Sequence, residues 1–110
     1  MITTRVGFGY DMHKLEEGSY IMLGGIRIDS NHTVVAHSDG DIVLHSLSDA
    51  IYGSLAAGDI GTHFPSNKEN INIQSVKILK HACELITQSN YMINNIDITI
   101  VIESCLLYTS

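Results

Sequence analysis

Ser38-Asp39-Gly40-Asp41-Ile42-Val43-Leu44-His45-Ser46-Leu47-Ser48-Asp49-Ala50-Ile51-Tyr52-Gly53-Ser54-Leu55-Ala56 holds the strongest periodic signal in the chain. Val43, Leu44, Leu47, Ala50, Ile51 and Leu55 recur at spacings of three and four, which predicts a helix over 38–56 with one apolar face. Ser38 is placed to cap it, with Asp41 three residues later as an approximate capping box. Asp39 and Asp41 put negative charge at the positive end of the helix dipole, and Gly58 is expected to end the helix.

Toward the N-terminus, Tyr20–Leu23 and Ile26–Ile28 flank Gly24-Gly25 and read as a hairpin, while Lys14–Ser19 and Asn31–Thr33 read as polar turns or loops. Thr3–Tyr10 mixes β-branched and aromatic residues with two glycines, predicting a strand whose backbone something else approaches closely. Toward the C-terminus, Gly58–Lys68 has two glycines, the only proline and no periodicity, so it is expected to be a shaped loop. A second helix is predicted over Gln74–Ser89, with Val76, Leu79, Ala82, Cys83 and Ile86 inward. Ile96–Ile102 is dense in β-branched residues and reads as a strand. The order implies an α/β (α+β) two-layer sandwich, one mixed sheet with helices on one face, although nothing after Ile102 supplies the next crossover.

A length of 110 residues allows one domain, and 45% hydrophobic residues with 16% charged exclude a disordered chain. Six Lys and Arg against twelve Asp and Glu give a net charge of −6, which argues against nucleic acid or an anionic membrane as partner. No apolar run approaches the ~20 residues of a spanning helix, and residues 1–10 lack the features of a signal peptide. The expected location is cytoplasmic, or a plastid-type organelle. Cys83 and Cys105 form no framework and are expected to be free thiols, Cys83 as a small buried hydrophobe.

Asp11 and His13, two apart at the end of the first strand, project to one face if the chain stays extended. His45 can add a third donor, giving two imidazoles and a carboxylate with an open fourth position, the donor set of a catalytic zinc. Asp49, at i+4 from His45, is placed to accept the other ring N–H and fix the tautomer. The same spacing also arises among structural or solvent-exposed histidines. His37 and Ser38 precede a helix N-terminus, where a phosphate is favoured, though Ser38 as a cap alone is the competing reading. His32, His63 and His81 have no partner at metal spacing and read as surface residues.

Gly9-Tyr10-Asp11-Met12-His13, Ala36-His37-Ser38-Asp39-Gly40-Asp41 with Leu44-His45, and Gly58-Asp59-Ile60-Gly61 leading into Phe64-Pro65 together resemble the 2-C-methyl-D-erythritol 2,4-cyclodiphosphate synthase family. The resemblance runs from about residue 5 to 103. It implies a homotrimer with active sites between subunits, acting on the diphosphocytidyl substrate 4-diphosphocytidyl-2-C-methyl-D-erythritol 2-phosphate in non-mevalonate isoprenoid synthesis. The substrate's 2-phosphate attacks its own β-phosphorus, closing an eight-membered cyclic diphosphate and releasing CMP. By the same resemblance Asp11, His13 and His45 hold Zn2+ or a similar divalent metal and thereby meet the substrate. His37 is catalytic, His37 and Ser38 contact phosphates, and Asp59, Ile60 and Gly61, with Phe64 following, line the substrate pocket.

Two departures stand out. Ser66-Asn67-Lys68 replaces an aspartate-bearing loop, and Ser104–Ser110 matches neither the family's Pro-Lys cytosine segment nor its later Thr-Thr-Glu region. The expectation is therefore a synthase-like domain over 1–103, an unrelated tail over 104–110, and the last third of the family domain missing. The ligand of a second Mg2+ or Mn2+ ion goes with that third, and these residues alone are expected to be inactive. The competing reading is a fragment that binds metal or phosphate without turnover.

Overall fold

The computed structural model describes residues 4–36, 38–66, 70 and 73–102. Four short strands precede three helices: β1 (Leu15–Glu17), β2 (Tyr20–Leu23), β3 (Ile26–Asp29), β4 (His32–Val34), α1 (Ile42–Ser54), α2 (Ile60–His63) and α3 (Ser75–Gln88). The class is α+β, as expected, but the ladders are two antiparallel two-stranded ones, β1 with β4 and β2 with β3. Gly24 and Gly25 both have positive φ, 63° and 81°, which a two-residue turn between right-twisted strands requires. That turn sets Leu23 opposite Ile26 and Tyr20 opposite Asp29. Gly18 N–H then donates to the Asn31 carbonyl and Ser30 N–H to that of Ser19, and the register runs on into Glu17 opposite His32 and Leu15 opposite Val34. The two ladders are halves of one long hairpin, so 14–19 and 31–33, expected as loops, are its arms.

Neither of the other expected strands, 3–10 and 96–102, forms a ladder among the described residues, which corrects the single mixed sheet. β-Branched composition favours extended backbone, but a strand exists only by pairing, and neither segment meets a ladder partner here.

Helix α1 begins later than its apolar period suggests. Its N-cap is Asp41, whose carboxylate accepts Leu44 N–H at 3.0 Å. Ser38 Oγ accepts Gly40 N–H instead, so the expected serine cap is displaced by three residues. The helix stops at Ser54, with Ala56 left-handed at φ 52°, before Gly58 is reached. Asp41 is fully buried, and its two oxygens also accept Gly24 N–H at 2.9 Å and Gly25 N–H at 2.6 Å. One carboxylate thus caps the helix and holds the hairpin turn against it.

The core lies between α1 and α3, where Ile51 and Tyr52 meet Ile78, Ala82 and Ile86. Val76, expected inward, is 53% exposed, while Leu79 and Cys83 are partly buried against the core. Cys83 is a free thiol whose pKa burial pushes up; Cys105 lies outside the described residues. Tyr52 Oη lies 2.7 Å from His81 Nδ1, and the His63 ring stacks on Tyr52 at 4.5 Å while its Nε2 donates to the Ala57 carbonyl. His63 and His81 are therefore rim residues of the core, where the sequence reading placed them on the surface.

Burial, with the Asp49 charge nearby, pushes the Tyr52 phenol up to about 12. A raised pKa means the folded chain keeps the phenol neutral while the unfolded chain ionises it near 10. Its contribution to stability is fully present below pH 10 and is lost as pH rises through about 12. Ultraviolet titration of the phenolates is expected to show one of the five tyrosines ionising after the others. In Tyr52→Phe that late step should vanish; its persistence would reassign it.

Candidate metal centre

The segment from Thr4 to His13 reaches the site by lying along α1. A Cβ at Gly7 would overlap the Ala50 carbonyl oxygen, and one at Gly9 would overlap that of Ser46. Two residues of extended chain cover about 6.6 Å, and the four helical residues between Ser46 and Ala50 cover about 6 Å. The two elements run antiparallel at matched pace, and one more such step brings Asp11 level with the first turns of α1, where His45 sits. The far end is fixed by Arg5, which donates from Nη1 to the Ser54 carbonyl at 3.0 Å, at the negative end of α1, and from Nε to Tyr91 Oη at 3.1 Å. Even-numbered side chains point away: Val6, Phe8, Tyr10 and Met12 are all strongly exposed. Gly9→Ala is expected to push this segment off the helix backbone, weakening both thermal stability and metal binding, because a carbonyl on a helix cannot yield as a side chain would. Unchanged melting and unchanged cobalt affinity would refute the close approach.

Asp11 Oδ2 lies 3.0 Å from His13 Nε2 and 3.3 Å from His45 Nδ1, and the three donor atoms all fall within 4.8 Å of one another. Tetrahedral zinc with bonds of about 2.0–2.2 Å spaces its ligand atoms by about 3.3–3.6 Å, so only small side-chain adjustments are needed. Asp11 Oδ2 and His13 Nε2 are buried and make no hydrogen bond, which is costly for polar atoms unless something satisfies them. Asp11 Oδ1 is occupied by Met12 N–H at 3.0 Å, leaving Oδ2 as the donor. Burial opposes the charge on Asp11, but the His45 and His13 rings facing it outweigh that and hold its carboxyl below the usual range. The residues present therefore fit a divalent ion of zinc type. His45 is itself buried.

Asp49 does not hydrogen-bond to His45. Its Oδ1 accepts Ile60 N–H at 2.8 Å, tying the entry of α2 to the middle of α1. Burial, then the negative charges of Asp59 and Asp11, raise its pKa above the ordinary value despite that bond. The reason for the difference is that both ring nitrogens of His45 are already engaged: Nδ1 faces Asp11, and Nε2 lies 2.7 Å from Ser75 Oγ and 3.2 Å from Ser38 Oγ.

Residues 4–109 match the family model described as the YgbB family. The chain belongs to the YgbB family. Among its relatives is a protein of Pseudomonas paraeruginosa named 2-C-methyl-D-erythritol 2,4-cyclodiphosphate synthase. It is 46% identical over 101 residues, covering 91% of this chain and 64% of the relative. A Fusobacterium nucleatum protein of the same name is 48% identical over 100 residues, covering 90% and 62%. The solved structure of a 2C-methyl-D-erythritol-2,4-cyclodiphosphate synthase superimposes with a TM-score of 0.73 at 39% identity, over 78% of this chain and 58% of that one. A Plasmodium falciparum IspF in complex with CDP gives 0.64 at 43% identity, over 78% and 52%. The chain thus spans a little under two thirds of the length of these curated relatives.

The remaining residues that the family resemblance singles out are dispersed. Ser38 stands beside His45, while His37, Asn67, Lys68 and the 104–110 tail lie outside the described residues. Asp59 caps α2: Thr62 N–H and Oγ1–H both donate to its Oδ1, and these bonds bring its pKa below the usual value. Gly61 is exposed next to it, whereas Ile60 and Phe64 pack against the core, Phe64 edge-on to His81 at 5.3 Å. The four-residue helix was invisible as periodicity; the Asp59 and Thr62 pair, a capping box, was its one local signal. Ser75, which reaches His45 Nε2 from 30 residues away, carried no signal at all, and Asp39, which holds Ser75, was marked only for its charge at the start of the helix.

Proposed function

We propose that this chain supplies the metal-binding part of an enzyme that cyclises 4-diphosphocytidyl-2-C-methyl-D-erythritol 2-phosphate to 2-C-methyl-D-erythritol 2,4-cyclodiphosphate. An oxygen of the 2-phosphate bonds to the β-phosphorus, the bond from that phosphorus to the bridging oxygen breaks, and the electron pair leaves with CMP. The observation that carries this reading is the convergence of Asp11, His13 and His45, with two buried donor atoms that make no hydrogen bond, in a chain of this family. A bound zinc-type ion supplies Lewis-acid neutralisation of phosphate charge. Asp11, His13 and His45 hold it, His37 and Ser38 meet the phosphates, and Asp59, Ile60 and Gly61 line the erythritol pocket that Asp49 steadies through Ile60. Intramolecular phosphoryl transfer asks for this kind of positioning and charge compensation more than for covalent help. A cytidine end of the substrate accords with the CDP carried by the Plasmodium falciparum relative. A second ion of Mg2+ or Mn2+ type completes the site in the whole protein.

The exposed row of Val6, Phe8, Tyr10 and Met12, together with Ile96, Ile98 and Ile100, supports assembly as a homotrimer that covers it. No described helix is long and apolar enough to cross a membrane, in keeping with a cytoplasmic enzyme.

Joining residues 1–103 to the C-terminal third of the Pseudomonas paraeruginosa relative is expected to give a protein that releases CMP, stops with chelator and resumes with zinc. The 110 residues alone should be slower by well over the ~10²–10³ that one lost electrostatic contact costs. A chimera that trimerises and binds zinc but forms no CMP would favour the reading as a binding fragment.

A further inference from the structure

We infer that Asp39 and Ser75 form a relay that fixes His45 in its Nε2–H form and turns Nδ1 toward the ion. The inference deepens the reading of Asp11, His13 and His45 as ligands. Ser75 is fully buried at the start of α3. Its N–H donates to Asp39 Oδ2 at 3.1 Å, its hydroxyl hydrogen-bonds Asp39 Oδ1, and Asp41 N–H reaches that same Oδ1. A carboxylate that collects donors on both oxygens is an acceptor only, so the single hydroxyl proton of Ser75 goes to Asp39. Ser75 Oγ is then left with lone pairs, and His45 Nε2 lies 2.7 Å away. Two lone pairs cannot face each other at that distance, so Nε2 carries the hydrogen. Ser38 Oγ, at 3.2 Å, can share it.

The other nitrogen, Nδ1, is the one turned to the candidate metal site, 3.3 Å from Asp11 Oδ2, where it would be free to ligate an ion without disturbing the Nε2–H. Ligand histidines are generally oriented by a partner on their second nitrogen, and losing that partner costs 10–100-fold in metal affinity. Asp39 and Ser75 are 36 residues apart in sequence and come from the loop before α1 and the start of α3. Asp39 also satisfies the first N–H of α3, which has no side-chain cap of its own. Ser75 and Asp39 are thus positioning residues, and seating α3 and presenting Nδ1 become one event.

The test uses the 110-residue chain labelled with 15N. In the metal-free protein, two-bond ring correlations are expected to show a hydrogen on His45 Nε2, and cobalt titration gives the reference affinity. Ser75→Val and Ser75→Thr have nearly the same shape and differ in the hydroxyl. Ser75→Val should lose the fixed Nε2–H and bind cobalt 10–100-fold more weakly, with Asp39→Asn alike. Ser75→Thr should restore both. If His45 Nε2 in the unmodified chain carries no hydrogen, or if Val and Thr variants bind cobalt equally, the relay is overturned. Failure of the unmodified chain to bind cobalt while His45 keeps the Nε2–H pattern would overturn the metal reading and leave the relay standing.

Discussion

His45→Ala is expected to lower zinc affinity by more than 100-fold, the largest functional effect of any single change. Orienting partners of a ligand are worth up to ~100-fold, and this substitution removes a ligand itself, reducing the protein's donors from three to two. It also strips Asp11 Oδ2 of a ring that holds its carboxyl ionised. Zinc at 100 times its dissociation constant stabilises a folded protein by about 2.7 kcal/mol. Melting with and without zinc therefore reads the effect directly: a clear rise for the unmodified chain, and almost none for the variant at the same concentration. His13→Ala should behave alike, since Nε2 of His13 is one of the two unpaired atoms. Affinity retained within tenfold in both variants would remove these residues from the site.

Asp41→Ala is expected to be the most destabilising polar substitution, at about 3–5 kcal/mol. Removing a helix N-cap alone costs roughly 0.5–2 kcal/mol. Here the same carboxylate also receives Gly24 N–H and Gly25 N–H, and each buried donor left unsatisfied adds about 1–3 kcal/mol, partly relieved by water. A loss of that size takes a large share of the ~5–15 kcal/mol that holds a domain together. Asp41→Asn retains an acceptor oxygen and should fall between. Urea denaturation of the three proteins checks the order; an Asp41→Ala variant within 1 kcal/mol of the parent would show that the hairpin is held elsewhere.

Legibility in the sequence followed the range of the interaction. Helix α3 was expected over 74–89 and runs Ser75–Gln88, because its period comes from packing on one continuous face. The glycine turn was plain, yet its register continues nine residues outward on either side, and composition could not show that for arms as polar as Glu16-Glu17 and His32-Thr33. The cap moved from Ser38 to Asp41 because a carboxylate there satisfies the hairpin amides as well, a benefit visible only once the turn is folded back. The three converging residues of the candidate metal site could be read, since two share an extended face and the third sits on a strong helix. Their support could not: Asp49 went to Ile60, and the partners of His45 come from 7 and 30 residues away.

Residues 6–13 work by parity. Odd positions give Gly7 and Gly9 to the helix and Asp11 and His13 to the candidate metal site, while even positions give Val6, Phe8, Tyr10 and Met12 to the outside. Deleting one residue between Gly9 and Asp11 would exchange the two sets beyond the cut without altering their composition, turning the carboxylate outward and an apolar chain toward His45. This stretch should therefore tolerate changes of side chain on its even positions far better than any change of length. An insertion of two residues, which restores the phase, should damage metal binding less than an insertion of one.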